Sequence, residues 1–287
     1  MTQCKYTSEL LQASGLFTSD TKYKIPGTPL PLHCKLLLQD SALLANPEYY
    51  RSMVEKLNFL TNTRSDLSYA VQTLSQFMQQ PCDSHLAALQ HLLCYVHSTA
   101  SQGLLLQGAD QLTLKVYSDS DWAACPSTSR SVAGYVVTLG DAPISWKSKK
   151  QSTVSRSSAK AEYRAMAQAS AEVRWLIRLL AELNATPTLP VTLFCDNTSA
   201  MHIVKNPVFH ERTKHINIDC HFTREKLLQS LLTLLHVPTI EQVADILTRF
   251  FPLYNILTSC PCLACFFLLQ QLKLARGCWS HQEVRKS

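Results

Sequence analysis

Four carboxylates stand in sequence contexts where an isolated acid would be unfavourable: Asp119, Glu162, Asp196 and Asp245. Asp119 follows a run in which apolar and polar residues alternate, and Asp196 ends an apolar strand. Glu162 shares a helical stripe with apolar residues. A carboxylate facing a core is costly unless another group offsets the cost. Magnesium does so, because Mg²⁺ takes oxygen ligands and keeps positions open for phosphate oxygens and water. Two such ions can clamp the reacting oxygens of a phosphodiester, so we predict that the four acids bind divalent metal.

None of the four acids would support this prediction alone. Glu162 could be a first-turn glutamate that favours the helix dipole, and Asp196 could be an ordinary helix N-cap. Asp119 could belong to a polar turn after a strand, and Asp245 could be a surface acid. The prediction depends on their combination, in the order strand, helix, strand end and late helix.

Basic residues near the acids predict contacts to a phosphate backbone. Solvated surface faces have a similar composition, so the pattern is compatible with both roles. Trp122 and Trp146 could stack on bases or sugars, although core packing is the favoured alternative. The residues for which we predict nucleic-acid binding are Lys147, Lys149, Lys150, Arg156, Arg212, Lys214 and His215.

Composition is that of a globular protein with a packed core. The 287 residues are 46% hydrophobic and carry a formal net charge of +6, which fits a polyanionic partner without requiring one. The eleven cysteines are odd in number and follow no signal peptide. We therefore expect reduced thiols in an intracellular protein, with no preference between nucleus and cytoplasm.

Periodicity predicts the elements that position these residues. Helices are predicted over 47–60, 156–183, 198–206, 214–229 and 239–248, with two more that Asp66 and Ser84 could cap. Strands are predicted near 102–106, 112–119, 133–139, 143–146, 191–195 and 231–237. This order indicates an α/β fold with a mixed sheet and helices on its faces. It follows a helical bundle over 46–100 and a partly extended segment over 1–45.

The regular pattern fails after residue 250. Residues 250–272 carry no charge over a membrane-spanning length, but prolines and polar residues weaken that interpretation. Cys262, Cys265, Cys278 and His281 have zinc-site spacing with little turn chemistry between them. We favour a divergent cysteine-rich tail over 250–287 above a zinc-binding or membrane-attached module.

Several motifs, in order, resemble the ribonuclease H domain of copia-type retrotransposon Pol polyproteins. They are VYSDSDW at 116–122, SWKSKKQ at 145–151, SSAKAEYRA at 157–165, CDNTSA at 195–200, NPVFHERTKH at 206–215 and HVPTIEQVADI at 236–246. Upstream, YRSMV at 50–54 and LTNTRSDLSYAV at 60–71 resemble the segment that joins reverse transcriptase to that domain. The resemblance covers about residues 1–249.

The resemblance implies a ribonuclease H-like fold over 102–249, with a five-stranded mixed sheet, and a reverse-transcriptase remnant over 1–45 and 46–100. It implies hydrolysis of the RNA strand of RNA–DNA hybrids. Asp119, Glu162, Asp196 and Asp245 would be the catalytic acids that hold two Mg²⁺, for which Mn²⁺ could substitute. Contacts to 2′-hydroxyls would separate RNA from DNA. Association with reverse transcriptase or integrase parts of an element is a further implied partnership.

The sequence also departs from the family. The polymerase palm is absent, so we expect no DNA synthesis. Ser65 and Ser152 stand where the family usually has proline, and Lys160 where it usually has glutamate. The catalytic-loop histidine of cellular ribonucleases H has no clear counterpart, since His236 lies in a strand-end motif. The alternative function is therefore a catalytically silent retrotransposon relic that only binds nucleic acid.

Overall fold

The computed structural model describes residues 1–17, 26–32, 34–39, 41–106, 108, 111–205 and 217–249. Its first part is helical. The helices are α1 (Cys4–Ser14), α2 (Pro47–Leu60), α3 (Ser68–Ser75) and α4 (Asp83–Ser98). Asn46 caps α2 by accepting a hydrogen bond from the Glu48 N–H at 3.1 Å, and Pro47 occupies the first helical position. Apolar side chains at helical spacing then bury one face of α2 in a shared core with α3 and α4.

The second part is a five-stranded mixed sheet. Its strands are β1 (Thr113–Asp121), β2 (Val132–Leu139), β3 (Ala142–Lys150), β4 (Thr188–Cys195) and β5 (Leu232–His236), in the order β3-β2-β1-β4-β5. β1, β2 and β3 pair antiparallel, whereas β4 pairs parallel to both β1 and β5. The remaining helices are α5 (Ser158–Glu182), α6 (Thr198–Lys205) and α7 (Asn217–Leu228). This arrangement confirms the predicted α/β class.

The two faces of the sheet are covered differently. One face packs on α5 and α6 through a core that includes Val116, Met166 and Leu193. The other face is covered by the turns after β5, where Ile246 and Leu247 pack against Val136 and Trp146.

Gly134 in β2 permits this close packing of the turns. A Cβ added there would lie 2.7 Å from Leu247 Cβ and 2.9 Å from Thr248 Cγ2. The glycine therefore lets the last described turn approach the sheet closely.

Two element predictions are wrong. Residues 102–106 form no strand, because Leu104 is buried in the core without joining a ladder. The helix predicted over 239–248 is instead two 3₁₀ turns, Thr239–Glu241 and Val243–Leu247. Gln242, between them, is extended, and its side chain donates to the Ser118 carbonyl at 3.0 Å. That tertiary contact replaces the continuous helix.

The described part of residues 1–45, for which a partly extended segment is predicted, also contains α1. Its N-terminus has no side-chain cap, and Leu10 and Leu11 are buried in the helical core. Tertiary packing therefore stabilises a short helix whose local signals are weak.

The two predicted caps are also displaced. Asp66 lies in a 3₁₀ turn, Ser65–Leu67, and pairs with Arg64, while α4 begins after Cys82 rather than at Ser84. The start of the 214–229 helix and the whole 250–287 tail, with its apolar stretch and its zinc-like spacing, lie outside the described residues. Among the described residues, no helix has both the length and the apolar character that crossing a membrane requires.

Candidate metal and nucleic-acid site

The four predicted acids come together at one end of the sheet. Asp119 is near the end of β1. Asp196 directly follows β4, which pairs parallel to β1. Glu162 projects from the first turns of α5, and Asp245 lies in the second 3₁₀ turn. Asp119, Glu162 and Asp245 are 4%, 5% and 2% exposed, and Asp196 is half-buried.

A cavity of about 250 Å³ opens between these elements. Asp119, Glu162 and Asp196 line it, together with Asp121 and Arg249. Side-chain ligand atoms of Glu162, Cys195 and Asp196 all lie within 4.8 Å of one another. The carboxyl ends of parallel strands are a usual place for ligand binding in α/β sheets.

Neighbouring side chains orient three of the acids. Thr248 Oγ1 donates a hydrogen bond to Asp119 Oδ2, and Arg249 Nη2 donates to Asp245 Oδ2 in an ion pair. Thr239 Oγ1 donates to Asp196 Oδ2 at 2.9 Å. These contacts hold one oxygen of each acid.

Two buried carboxylate oxygens have no hydrogen-bond partner and are available as metal ligands. Glu162 accepts from the Ser120 N–H at 3.3 Å through Oε1, but Oε2 has no partner. Asp245 Oδ1 also has none. Buried polar atoms are normally satisfied, so each of these oxygens calls for a ligand. A set of carboxylate oxygens suits Mg²⁺ or Mn²⁺.

The pKa values of the acids are raised, as expected for crowded buried carboxyls. Burial, then the nearby Asp245, raises the pKa of Asp119 to about 7, against the opposing Thr248 hydrogen bond. Burial and then Asp119 raise the pKa of Glu162 well above its usual value. Burial also raises the pKa of Asp245, and Arg249 opposes it. A divalent cation would reverse these shifts by favouring the charged forms.

Cys195 is an unsuitable ligand although its Sγ is near two of the acids. The side chain is buried at the end of β4, and burial followed by the Glu162 charge raises its pKa. Metal binding requires a thiolate. We therefore assign Cys195 to the core.

The predicted basic residues are only partly explained by the site. Lys147 and Lys149 are exposed on β3, which is an edge strand. Lysine on an edge also blocks unwanted strand pairing. Lys150 instead donates to Gln76 Oε1 at 2.7 Å, and Arg156 is exposed just before α5. Arg212, Lys214 and His215 lie outside the described residues.

The two tryptophans differ. Trp146 packs against the core beneath the final turns and donates to the Thr61 carbonyl at 3.0 Å, which confirms core packing. For Trp122 the core-packing prediction is wrong. Its side chain is 49% exposed, and its Nε1 donates to the Ser155 carbonyl at 2.8 Å.

The sequence interpretation missed Thr239, Thr248 and Arg249 as parts of the site. Thr248 and Arg249 follow Asp245 by three and four residues, a spacing that places side chains together on one turn. That spacing could have indicated the Arg249 pair. His236 was not predicted to replace the catalytic-loop histidine of cellular ribonucleases H. It lies at the end of β5, with its Nε2 3.1 Å from the Asp196 carbonyl oxygen.

Relatives of this chain in different plants carry the same description. No protein-family model matches the chain. The Retrovirus-related Pol polyprotein from transposon RE1 of Arabidopsis thaliana is 43% identical over 249 residues, covering 87% of this chain and 17% of the polyprotein. That from transposon TNT 1-94 of Nicotiana tabacum is 32% identical over 259 residues, covering 88% and 19%. An uncharacterized mitochondrial protein of Arabidopsis thaliana is 39% identical over 175 residues, covering 61% of this chain and 71% of that protein.

Solved structures also match the chain. LC11-RNase H1 in complex with RNA/DNA hybrid aligns with a TM-score of 0.36 and 15% identity, covering 47% of this chain and 94% of that one. The foamy viral protease-reverse transcriptase in complex with RNA/DNA hybrid aligns with a TM-score of 0.44 and 14% identity, covering 70% and 26%. The sheet has the five mixed strands and flanking helices that the sequence resemblance implies. The chain, which spans less than a fifth of the Pol polyproteins named above, belongs to the family of retrovirus-related Pol polyproteins from transposons.

Proposed function

We propose that the chain is a metal-dependent endonuclease that hydrolyses the RNA strand of RNA–DNA hybrids, as part of a copia-type Pol fragment. The observation that supports this most is the cavity of about 250 Å³ lined by Asp119, Glu162 and Asp196, with unpartnered buried oxygens on Glu162 and on Asp245, which neighbours Asp119. Such groups are costly in a fold that does not use them. Pol relatives and the sheet that the resemblance implies support the same class of reaction.

In this proposal Asp119, Glu162, Asp196 and Asp245 hold two Mg²⁺, and Mn²⁺ can substitute. The bound metal supplies an activated water and stabilisation for the leaving 3′ oxygen. The chain's own groups set the positions of the acids. Thr248 orients Asp119, and the Ser120 N–H orients Glu162. Arg249 balances the charge of Asp245 and lines the same cavity.

The domain assignment remains part of the proposal. Residues 102–249 would form the nuclease, 1–45 and 46–100 a reverse-transcriptase remnant, and 250–287 a divergent tail. The exposed Lys147, Lys149 and Arg156 would contact the phosphate backbone. Association with reverse transcriptase or integrase parts of an element would bring the nuclease to its substrate.

The test is cleavage of an end-labelled RNA–DNA hybrid by the full chain in Mg²⁺ or Mn²⁺. We expect the RNA strand alone to be cut, with duplex DNA left intact, and we expect EDTA or Asp196→Asn to abolish the products. Asp141→Asn is the matched control, since Asp141 is exposed and pairs with Lys115. A folded protein that leaves the hybrid intact in both metals would overturn the nuclease proposal.

One observation favours the second candidate, a catalytically silent protein that only binds nucleic acid. Thr248 and Arg249 already hold oxygens of Asp119 and Asp245. An internal cation at Asp245 competes with divalent metal for the same carboxylate. Hybrid binding without cleavage, together with no detectable Mn²⁺ binding by calorimetry, would support this candidate over the nuclease.

A further inference from the structure

A small cavity between the helical part and the loop that joins β1 to β2 contains two cysteines in its walls. Its volume is about 230 Å³. Cys34, from the segment before α2, and Cys125, from the β1–β2 loop, both line it, as does Gln76 just after α3. We call it the thiol cavity. Pockets that hold drug-sized ligands have volumes of roughly 300–1,000 Å³, so the thiol cavity suits a smaller molecule.

A lysine approaches one of the two thiols. The Nζ of Lys150, the last residue of β3, donates to Cys125 Sγ at 3.0 Å and to Gln76 Oε1 at 2.7 Å. Burial raises the pKa of Cys125, but hydrogen bonds, of which that from Lys150 has the largest effect, outweigh burial and lower the pKa below its ordinary value. A neighbouring ammonium group favours the thiolate, which is the nucleophilic form of cysteine.

Other thiols in the described part of the chain behave in the opposite way. Burial raises the pKa of Cys94, and burial followed by the Glu162 charge raises that of Cys195. Cys125 is also buried, so its neighbouring cation, and not its exposure, distinguishes it from these two. Reactive cysteines in proteins lie beside cations of this kind, whereas buried cysteines in apolar surroundings are inert.

The second thiol makes the cavity a site for two-step chemistry. Cys34 is half-buried and packs against the helical core, and neither Cys34 nor Cys125 is in a disulfide. Lys35 adds a further cation to the walls, and Asp121 is the one acid among the described residues that line the cavity. An activated thiol with a second thiol in the same cavity has the components required for thiol–disulfide exchange.

We propose that Cys125 and Cys34 form a thiol pair that reacts with low-molecular-weight disulfides, RSSR. The Cys125 thiolate attacks one sulfur, so a bond forms between Cys125 Sγ and that sulfur, the S–S bond of the reagent breaks, and RS⁻ leaves with the electron pair and takes a proton from water. Cys34 then loses its proton, and its thiolate attacks Cys125 Sγ. The Cys34–Cys125 disulfide forms, and the second RS⁻ leaves and is protonated. Two protein thiols are oxidised, and one RSSR is reduced to two RSH.

The product would connect the two parts of the molecule. The disulfide would join the segment before α2 to the β1–β2 loop. Asp121 lines both the thiol cavity and the cavity of the acids, so the new bond would lie beside the candidate metal site. The inference uses none of the four acids and does not depend on the proposed nuclease function.

The test is reaction of the reduced full chain with 2-hydroxyethyl disulfide, an uncharged reagent, stopped at intervals by alkylation and mapped by peptide mass spectrometry. We expect Cys125 to be modified faster than Cys4 by about fivefold or more, although Cys4 is exposed and Cys125 is buried. In the wild type the adduct on Cys125 should give way to a link between Cys34 and Cys125. In Cys34→Ser the adduct should persist.

Lysine variants test the activation of Cys125. We expect Lys150→Gln to slow its modification about five- to tenfold, because a smaller thiolate fraction is partly offset by greater intrinsic nucleophilicity. Lys149→Gln is the matched control, since it removes the same charge from the neighbouring exposed position, which does not line the cavity. Lys150→Arg keeps the cation and should react within about twofold of the wild type. Thermal melting under reducing conditions shows that each variant is folded.

Three results would overturn the inference. The first is modification of Cys125 no faster than that of Cys4 in the folded wild type. The second is an equal rate for Lys150→Gln and Lys149→Gln. The third is an adduct on Cys125 that decays equally in the wild type and in Cys34→Ser.

Discussion

The helical part and the end of the sheet both bury acids, but they differ in whether the fold provides partners for every carboxylate oxygen. In the helical part, Asp66 accepts hydrogen bonds from Arg64 Nε and Nη2 at 2.9 and 2.7 Å and from the Tyr95 hydroxyl at 3.0 Å. Arg64 also donates to the Thr99 carbonyl and hydroxyl at 2.9 and 2.8 Å. Every charged group in this network therefore has partners.

At the end of the sheet the acids outnumber the cations paired with them. Arg249 is the one cation paired with the four acids among the described residues, and Glu162 Oε2 and Asp245 Oδ1 are unsatisfied. The pKa values there are raised because burial is not offset by enough positive charge. Burial alone thus does not separate a structural acid from a functional one. The difference lies in whether the fold itself satisfies the carboxylate.

Replacing a site acid should reduce activity without reducing stability. We expect Glu162→Gln to lower hybrid cleavage by about 10²–10³-fold or more, the size found when a group that stabilises the transition state is removed. The metal-free protein should melt no lower, because a buried neutral amide costs less than a buried charge. Glu182→Gln, an exposed position on the same helix, is the control. Retained cleavage in Glu162→Gln would remove Glu162 from the site.

Replacing the structural acid should have the opposite outcome. We expect Asp66→Asn to destabilise the protein by about 3–5 kcal/mol, since it leaves the buried Arg64 without its charge partner. Urea denaturation measures this, with the exposed Asp83→Asn as the control. Cleavage per folded molecule should stay at the wild-type level. A stability loss below about 1 kcal/mol would show that the network contributes no more than a surface ion pair.

Replacing the hydrogen-bond partner of a site acid should have a smaller effect than replacing the acid itself. Thr248→Val removes the hydroxyl that orients Asp119 but keeps the shape of the side chain. We expect Mn²⁺ affinity, measured by calorimetry, to fall by about 10–100-fold, as for other groups that orient metal ligands. Thr248→Ser keeps the hydroxyl and should bind Mn²⁺ close to the wild-type level. Equal loss in both variants would point to packing against the sheet rather than to the hydrogen bond.

The smallest effect concerns pH. The folded pKa of Asp119 is raised to about 7, above its unfolded value of about 3.9. Protonation therefore favours the folded state, and the metal-free protein should lose stability as pH rises through about 7. We expect Tm in EDTA to fall by several degrees from pH 5.5 to 8 and saturating Mg²⁺ to reduce this slope.

Asp119→Asn is the control for the pH dependence. The variant should have a flatter profile in EDTA, because it lacks the group that titrates near neutrality. A Tm that rises with pH in the metal-free wild type would contradict the assignment.

Much of the site and the fold was fixed by local sequence. α2 was predicted with its bounds, because Pro47 and an apolar stripe give a start signal and a face. The Glu162 stripe, with Met166 and Val173 buried as predicted, follows from the same periodicity. The four acids were identified because their chemistry conflicts with their apolar surroundings, and both are visible along the chain. The structure places them together.

Tertiary structure alone decided how those acids are held. Thr248 contacts Asp119 across 129 residues of sequence, and Gln242 contacts Ser118 across 124. The same long-range contacts turned a predicted helix into two 3₁₀ turns, and packing formed α1 without a cap. Periodicity and residue chemistry are local properties, so the sequence by itself determined which residues could do chemistry. The partners of a buried group depend on which distant segments the fold brings together, and only the tertiary structure decided those.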